Sequence, residues 1–166
     1  METTIVNVKK KFLNARQIAN FKAWLLLPDT VYIGRNMSFY VDGAVQSKWA
    51  NPYKLTEYAG DDCCKLYEKY ILSSKLYEQI LELEGKELGC WCKPDRCHGD
   101  ILIKLLHRKK IEDCGIGTVV RYINMQNVER PAGQIIKIMP EYFIYQVTDL
   151  KIRVRYSHIK KICIIV

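Results

Sequence analysis

The sequence predicts an α/β domain followed by a small all-β module. Up to about residue 113, strand-like and helix-like segments alternate, and this order builds a small, mostly parallel sheet flanked by helices. After Cys114 the helical period disappears, and short segments rich in Val, Ile, Tyr and Phe follow one another between Gly, Pro, Asn and Asp. We therefore predict an α/β domain over residues 1–113 and a small antiparallel β-barrel, of the SH3 or Tudor kind, over residues 114–166.

The first elements alternate between strand and helix patterns. Residues 4–12 alternate apolar and polar side chains, which predicts a strand. Residues 15–27 repeat apolar side chains at helical spacing and predict one helix. Residues 30–35, TVYIGR, form a β-branched and aromatic run that Gly34 interrupts. The start of the chain is therefore expected to be strand, helix, strand.

The next segments are predicted to be two helices, a strand and a third helix. Residues 61–74 open with two acids, which suit a helix N-terminus, and residues 75–86 contain Gly85, a good helix C-cap. Residues 86–92, KELGCWC, are short and apolar, as in a buried strand. Residues 98–110 repeat apolar side chains at helical spacing and finish in a cationic turn, the charge order that a helix dipole favours.

The positive charge is concentrated in the C-terminal third of the chain. The formal net charge is +8, of which residues 1–113 carry +3 and residues 114–166 carry +5. In the segment KIRVRY, alternation places Lys151, Arg153 and Arg155 on one face of a strand. This face predicts binding to a polyanion such as a nucleic acid.

The composition is typical of a folded intracellular protein. The chain has 166 residues, of which 49% are hydrophobic, which is enough to form a core without stabilising disulfides or metal ions. Residues 1–11 hold only a short apolar patch, and the longest apolar stretch, AWLLL, is far shorter than the roughly 20 residues that span a bilayer. We therefore expect neither a secretory signal nor a membrane partner. In such a chain, clustered cysteines indicate metal or thiol chemistry before disulfides.

A cluster of chemically reactive side chains lies in the segment GCWCKPDRCHGD. It falls where a predicted strand ends and the next helix begins. Open α/β sheets bind ligands at the carboxyl ends of their strands, and a helix N-terminus presents free N–H groups and a partial positive charge. The members of the cluster are Cys90, Cys92, Cys97, His98 and Asp100.

Three interpretations of this cluster stay open. In the first, the three cysteines and His98 form a structural zinc site, although adjacent Cys97 and His98 do not easily both turn inward. In the second, the cluster is an active site with Cys97 as a reactive thiol, His98 as acid or base, and Asp100 beside them. In the third, Cys90 and Cys92 belong to the core and the others are ordinary residues at a helix start. The cofactor is therefore left open, and zinc belongs to the first interpretation.

A second candidate site precedes the cluster. Gly34 at a strand end allows a ligand to approach the backbone, and Arg35 can bind a carboxylate or phosphate with two hydrogen bonds. In KWANPY, Trp49 can stack on a base or sugar and Asn51 can contact a ligand, while the alternatives are a core tryptophan and an ordinary turn. Because both sites follow strands of one layer, we expect them to face one crevice. The expected ligand-binding residues are Gly34, Arg35, Trp49, Asn51, Cys90 and Cys92.

Several of these motifs, in the same order, resemble a known family. VYIGR, SKWANPY and GCWCKPDRCHGD are similar to a family of unknown function numbered 4326, which is found in phages, large DNA viruses and bacteria. The resemblance covers roughly residues 28–107 and implies an intracellular α/β domain of viral or phage origin. Residues 36–46 form an insertion in its pattern, and the basic module after residue 114 lies outside it. The family has no settled activity, so the resemblance implies architecture and candidate residues only.

Two functions from different classes follow from the sequence. The first, which we favour, is an enzyme that acts on nucleotides or nucleic-acid bases through the strand-end Cys/His/Arg pocket, with a phosphate-containing small molecule or nucleic acid as its partner. The second is a non-catalytic module that binds nucleic acid or protein, in which the cysteine cluster is structural and can hold zinc. A viral structural component is a further form of the second. We expect an intracellular location, in the host cytoplasm or the virion if the chain is viral.

Overall fold

The structure, a computed structural model, describes residues 2–54, 56–58 and 61–165. They divide into two compact units, the first running from Thr3 to Leu102 and the second from Ile103 to the end of the described chain. This division falls inside the helix His98–Cys114. The domain limits 1–113 and 114–166 stay a prediction.

The first unit combines short strands with helices. Its sheet forms from segments that are far apart in the chain, so helices and loops connect the strands. The elements are β1 (Thr4–Asn7), α1 (Lys10–Ala15), α2 (Phe21–Leu25), β2 (Thr30–Tyr32), α3 (Asp61–Ser73), α4 (Leu76–Gln79), a 3₁₀ helix (Ile80–Leu83), β3 (Glu87–Cys90) and the start of α5 (His98–Cys114).

The sheet of the first unit is parallel, as the sequence predicts. Its strand order is β1-β3-β2, and β3 pairs in parallel with both neighbours. The central position explains why β3 is the most buried of the three strands, with Leu88, Gly89 and Cys90 all buried. Gly89 has no room for a side chain, because an added Cβ would lie 2.2 Å from the Trp24 ring. The predicted α/β class is therefore confirmed for this unit.

The N-terminal segments differ from the prediction. The strand predicted over residues 4–12 ends at Asn7, and α1 begins at Lys10. The single helix predicted over residues 15–27 is wrong, because the chain turns between α1 and α2. Gln17 adopts a positive φ of 61°, which a helix does not allow, and the side chain of Asn20 accepts from the Ala23 amide to start α2 anew.

The later elements of the first unit agree with the sequence patterns. Helix α3 and strand β3 lie within the predicted ranges, and α5 extends four residues beyond the predicted end at residue 110. The segment after α3 forms α4 and a 3₁₀ helix, and it ends beside Gly85, whose φ is 73°. Glycine suits that left-handed position because it has no Cβ.

The second unit is dominated by an antiparallel sheet. Its strands pair in the order β7-β6-β5-β4-β8, and a buried cluster that includes Val120, Ile135, Phe143 and Tyr156 forms its core. Among the described residues, no pairing joins β7 to β8, so the predicted closed barrel is not confirmed. The strands are β4 (Val119–Asn124), β5 (Gly133–Ile138), β6 (Tyr142–Val147), β7 (Leu150–Arg155) and β8 (Ile159–Ile165), with a 3₁₀ helix (Tyr156–His158) before β8.

The helices in the described part of the chain are short or strongly charged. The longest, α5, has 17 residues and carries several lysines and acids. None of these helices combines the length and apolar character that a bilayer crossing requires.

Candidate functional site

The two sequence-predicted sites meet at one edge of the parallel sheet. β2 and β3 are hydrogen-bonded neighbours, with Tyr32 paired to Gly89, and the Ile33 amide donates to the Gly89 carbonyl at 3.0 Å. Because parallel strands end at the same edge, the segments after Tyr32 and after Cys90 leave the sheet side by side. Parallel pairing therefore brings the Gly34-Arg35 turn next to the cysteine cluster.

Tyr32 links the two segments directly. Its hydroxyl donates to the Arg35 carbonyl at 2.6 Å and accepts from the Trp91 indole N–H at 2.6 Å. Gly34 lies under the same ring, and an added Cβ there would come within 2.3 Å of the Tyr32 hydroxyl oxygen. Glycine at position 34 thus allows Tyr32 to hold the backbone that carries Arg35.

The three cysteines of the cluster converge. Cys90 ends β3, Cys92 lies two residues further on, and Cys97 directly precedes α5. Their Sγ atoms all lie within 4.8 Å of one another, and the Sγ atoms of Cys90 and Cys97 are 3.0 Å apart. Cys90 and Cys97 are fully buried, with exposed fractions of 0% and 1%, whereas Cys92 is half-buried. The cluster is therefore reached from the side of Cys92.

Backbone amides point at the buried sulfurs. The Gly99 N–H donates to Cys97 Sγ at 3.3 Å, and the amides of Cys92 and Lys93 bond to the sulfur of Cys90. The thiols of Cys92 and Cys97 also bond to this sulfur, and together these donors lower the pKa of Cys90. The hydrogen bonds to Cys90 also raise the pKa of Cys92 and Cys97, because each of these thiols donates its proton to the Cys90 sulfur. Negative charge is thus favoured on one sulfur of the three.

Asp100 caps the helix that carries the cluster. Its carboxylate accepts from the Cys97 amide at 3.3 Å, three residues before it, while Cys97 Sγ accepts from Gly99. The Asp100 contact is one half of a capping box, while the Cys97 sulfur accepts from the second helical residue, Gly99, as an N-cap side chain does. The carboxylate also pairs with Lys93 Nζ at 2.8 Å. The structure therefore places Asp100 on the outside of the cluster, where it holds the loop.

A further hydrogen bond fixes this loop from the first strand. Asn7, the last residue of β1, donates from its side-chain amide to the Lys93 carbonyl and accepts from the Lys9 amide at 2.8 Å. All three parallel strands therefore end at the edge where the cysteines lie. The loop that carries Cys92 is held by contacts from β1, β2 and α5.

His98, the first residue of α5, is buried and neutral. Its Nε2 lies 2.8 Å from the Ile33 carbonyl, and since a carbonyl only accepts, Nε2 carries the proton. Nδ1 therefore keeps its lone pair. Burial lowers the pKa of His98, which keeps the ring uncharged at neutral pH. The Tyr67 ring packs edge-on against it, with centroids 5.3 Å apart.

A cavity of about 410 Å³ opens beside the cluster. It unites five of the sequence-predicted residues with several that the sequence analysis did not select. The predicted residues at its wall are Gly34, Arg35, Asn51, Cys92 and His98. Cys90 and Cys97 lie buried behind Cys92, and Asp100 is not part of the wall.

Trp49 lies in the core and outside the cavity wall. Its exposed fraction is 1%, and its indole N–H donates to Glu82 at 3.0 Å. Its carbonyl accepts from the Tyr67 hydroxyl at 2.6 Å, so it positions the ring that packs on His98. Asn51 borders the cavity, but its side chain also bonds to the backbone of Cys63 and Tyr53, as a turn-forming asparagine does.

Six residues of the cavity wall were not predicted from the sequence. One signal was present, because Trp91, Asp95 and Arg96 lie inside the cysteine motif GCWCKPDRCHGD. The others come from the segment around α3, which touches the site only through tertiary packing. The missed residues are Tyr53, Cys63, Cys64, Trp91, Asp95 and Arg96.

Cys64 has the environment of a structural thiol. It is buried, and burial together with neighbouring Cys63 raises its pKa to about 11. A thiol of this kind is a poor nucleophile at neutral pH. Cys92 is thus the wall residue that joins the cavity to the three-cysteine group.

A separate cavity of about 350 Å³ lies on the other side of Trp91. Its wall is built mainly from Phe21, Val41 and lysine side chains, and it includes neither the thiols nor His98. The Trp91 ring, stacked on Phe21 with centroids 5.7 Å apart, contributes to the walls of both cavities. Of the cluster residues, Cys92 and His98 border the larger one.

The basic strand of the second unit has the alternation that the sequence predicts. On β7, Lys151, Arg153 and Arg155 are exposed while Val154 is buried. The Arg153 guanidinium lies over the Tyr142 ring, 4.6 Å from its centroid. Arg153 and Arg155 also border a cavity of about 390 Å³, which is lined in addition by Arg130 and His158. Lys151 is not part of that wall.

The fold and the site define an α/β protein with a cysteine group beside a ligand-sized cavity, at the carboxyl edge of a parallel sheet. Residues 16–108 match the family described as "Domain of unknown function (DUF4326)", and the chain belongs to this family. The match covers both sequence motifs that form the cavity wall.

Relatives of the chain occur in a large DNA virus. The uncharacterised protein R718 of Acanthamoeba polyphaga mimivirus is 40% identical over 84 residues, which cover 45% of this chain and 65% of the relative. The uncharacterised protein L57 of the same virus is 50% identical over 48 residues, which cover 28% of this chain and 26% of the relative. The chain therefore spans less than two thirds of the length of these relatives. No solved structure gives a significant match.

Proposed function

We propose that the first unit is an enzyme that binds a nucleotide or a related phosphorylated compound in the cavity between Arg35 and His98. The observation that carries the proposal is that one cavity of about 410 Å³ brings together a cation, aromatic rings, a neutral histidine and a thiol. This volume lies within the range of roughly 300–1,000 Å³ that is usual for small-molecule sites.

Arg35 is suited to bind the phosphate. It is exposed at the cavity wall, and within the part of the chain that the structure describes its guanidinium forms no ion pair. The Tyr32 hydroxyl holds its carbonyl, so the backbone beneath the side chain is fixed. A guanidinium can bind two phosphate oxygens at once. Arg96, on the wall from the loop before α5, adds positive charge to the same cavity.

The rings of Tyr53 and Trp91 are suited to a base or sugar. Both border the cavity, and each is partly buried by other aromatic residues. Base–aromatic stacking contributes about 1–3 kcal/mol per base. This favours a ligand with a flat ring over inorganic phosphate alone.

His98 and the cysteine group provide the side chains that can take part in a reaction at the cavity. In the neutral ring of His98, Nδ1 carries a lone pair and can accept a proton from a substrate. Cys92 is the thiol at the wall, while Cys97 lies behind it. The catalytic roles proposed for Cys97 and Asp100 then become indirect, since Cys97 contacts Cys90 and Asp100 caps the helix.

The direct test is ligand binding by calorimetry with adenosine, ribose 5-phosphate and nucleoside monophosphates. We expect a nucleoside monophosphate to bind, and Arg35→Gln to weaken it about tenfold or more, because a charged hydrogen bond contributes roughly 1.5–3 kcal/mol. Arg121→Gln is the matched control, since Arg121 pairs with Glu129 in the second unit. Failure of all nucleotides to bind, or equal effects of the two variants, would overturn the proposal.

A second candidate function is polyanion binding by the second unit. The cavity bordered by Arg130, Arg153, Arg155 and His158 concentrates positive charge beside the exposed face of β7. This supports binding to nucleic acid through phosphate contacts, with Lys151 on the same strand. A viral setting in the host cytoplasm or the virion is consistent with the mimivirus relatives.

The SH3- or Tudor-like barrel also remains our proposal for this unit. β7 and β8 lie at opposite edges of the five-stranded sheet, yet only the 3₁₀ helix Tyr156–His158 connects them. Edge strands of a flat five-stranded sheet lie roughly 19 Å apart. Four residues of chain span at most roughly 14 Å. This connection therefore supports a sheet that curls toward closure.

A further inference from the structure

We propose that Cys90, Cys92 and Cys97 bind one soft divalent cation, with zinc the best candidate, and that a ligand from the cavity can complete its coordination. Three sulfur ligands within 4.8 Å of one another match the ligand type and spacing of a thiolate metal site. Zinc–sulfur bonds of about 2.3 Å in tetrahedral geometry place sulfurs about 3.8 Å apart. Cys90 and Cys97, now 3.0 Å apart, need to separate only slightly.

The amide donors around the sulfurs are a second, independent observation. A neutral thiol is a weak acceptor, yet backbone N–H groups of Cys92 and Lys93 bond to Cys90, and that of Gly99 bonds to Cys97. Such donors stabilise thiolates and are the usual partners of metal-bound sulfur. Cys97 also lies at the N-terminus of a 17-residue helix, which favours negative charge there.

Charge balance points to a cation among the sulfurs. Three thiolates at this spacing repel one another, and two of them are buried away from water. A divalent ion reduces a charge of −3 to −1, and the N-terminus of α5, which begins directly after Cys97, favours the remaining negative charge.

The ligand set is three thiols and excludes His98. In the described part of the chain, the converging ligand atoms are those of the three cysteines, and neither His98 nor Asp100 joins them. The Nε2 atom of His98 is occupied by the Ile33 carbonyl. Three protein ligands and an open position are typical of a catalytic zinc site, whereas structural zinc usually has four. Cys92 borders the cavity, so water or a substrate atom can reach the ion from that side.

The first experiment is elemental analysis of reduced protein purified without chelator, together with single cysteine variants. We expect about one equivalent of zinc in the wild-type protein and its loss in Cys92→Ala and Cys97→Ser. Cys163→Ser is the matched control, because Cys163 is a half-buried thiol on β8 outside the group, and it should keep the zinc. Zinc retained in both cluster variants, or lost equally in the control, would overturn the proposal.

Cobalt substitution of the wild-type chain avoids any dependence on how the variants fold. We expect one bound Co²⁺ with a near-ultraviolet thiolate-to-cobalt absorption of the intensity given by three thiolates. A reduced wild-type protein that takes up neither Zn²⁺ nor Co²⁺ would refute the site. A Cys90–Cys97 disulfide that persists in protein purified and kept under a reducing agent would also refute it, since these sulfurs could not then bind an ion.

The proposed metal site and the proposed nucleotide binding can be tested separately. Metal content is measured without any ligand, and Arg35→Gln should leave it unchanged while weakening the nucleotide. Nucleotide binding without metal would refute the metal site alone. Metal without nucleotide binding would leave the cysteine site standing and refute the proposed function.

Discussion

The indole N–H of Trp91 donates to the hydroxyl of Tyr32 at 2.6 Å, and this hydroxyl donates in turn to the Arg35 carbonyl. Trp91 follows β3 and Tyr32 ends β2, so one side chain connects the cysteine loop to the arginine turn. The two sequence motifs that form the cavity are thus joined by a hydrogen-bonded chain as well as by strand pairing.

The first prediction concerns this link. Tyr32→Phe should lower the free energy of unfolding by about 1–2 kcal/mol, because it removes two hydrogen bonds at a buried position. It should also weaken any nucleotide bound at Arg35, since the backbone of Arg35 loses its anchor. Urea unfolding and calorimetry measure the two effects. Tyr40→Phe, at an exposed tyrosine, is the control, and equal stability of the two variants would contradict the role of Tyr32.

The second prediction concerns the cap of α5. Asp100→Ala should cost about 1 kcal/mol of stability, because the carboxylate accepts from the Cys97 amide and pairs with Lys93. Asp95→Ala removes an exposed acid from the same loop and should change stability by less than about 0.5 kcal/mol. Urea unfolding of both variants decides the matter. If Asp95→Ala costs as much, the loss reflects loop charge and the capping role of Asp100 is wrong.

The third prediction is a pH dependence at Cys64. Burial and Cys63 raise its pKa from 9.0 to about 11, so the folded state holds this proton more tightly than the unfolded chain does. The resulting stability is fully present below about pH 9 and is lost as the pH rises toward 11. The difference in unfolding free energy between wild type and Cys64→Ala should therefore shrink between pH 8 and pH 10.5. A difference that stays constant over this range would show that burial does not hold the proton.

The fourth prediction concerns the basic face of β7. The double variant Arg153→Gln/Arg155→Gln should weaken binding to DNA at low salt and reduce the slope of log affinity against log salt by about 2, because two phosphate contacts are lost. Lys137→Gln, an exposed lysine on β5 that does not border this cavity, is the single-charge control. Fluorescence anisotropy over a salt series measures both. An unchanged slope in the double variant would exclude this face as the binding surface.

The sequence by itself determined which short segments form helices and strands wherever local periodicity was strong. Helices α3 and α5 follow from the helical spacing of their apolar side chains, and strand β3 follows from a short apolar run. The left-handed position of Gly85 follows from glycine's lack of a Cβ. It also identified the three cysteines, because they are crowded within one short motif. Such features depend on neighbouring residues alone.

Only the tertiary structure decided how these elements combine into a site. The pairing of Tyr32 with Gly89 puts Arg35 beside Cys92, and no local pattern specifies which strands become neighbours. The break between α1 and α2 could likewise not be predicted from the sequence. The apolar repeat continues through Gln17, although the backbone there leaves the helical region. Cys97 was predicted to be reactive from its helix-end position, yet packing against Cys90 buries it and leaves Cys92 at the cavity. Burial and partner choice arise from contacts between distant residues, and these decide which thiol a ligand can reach.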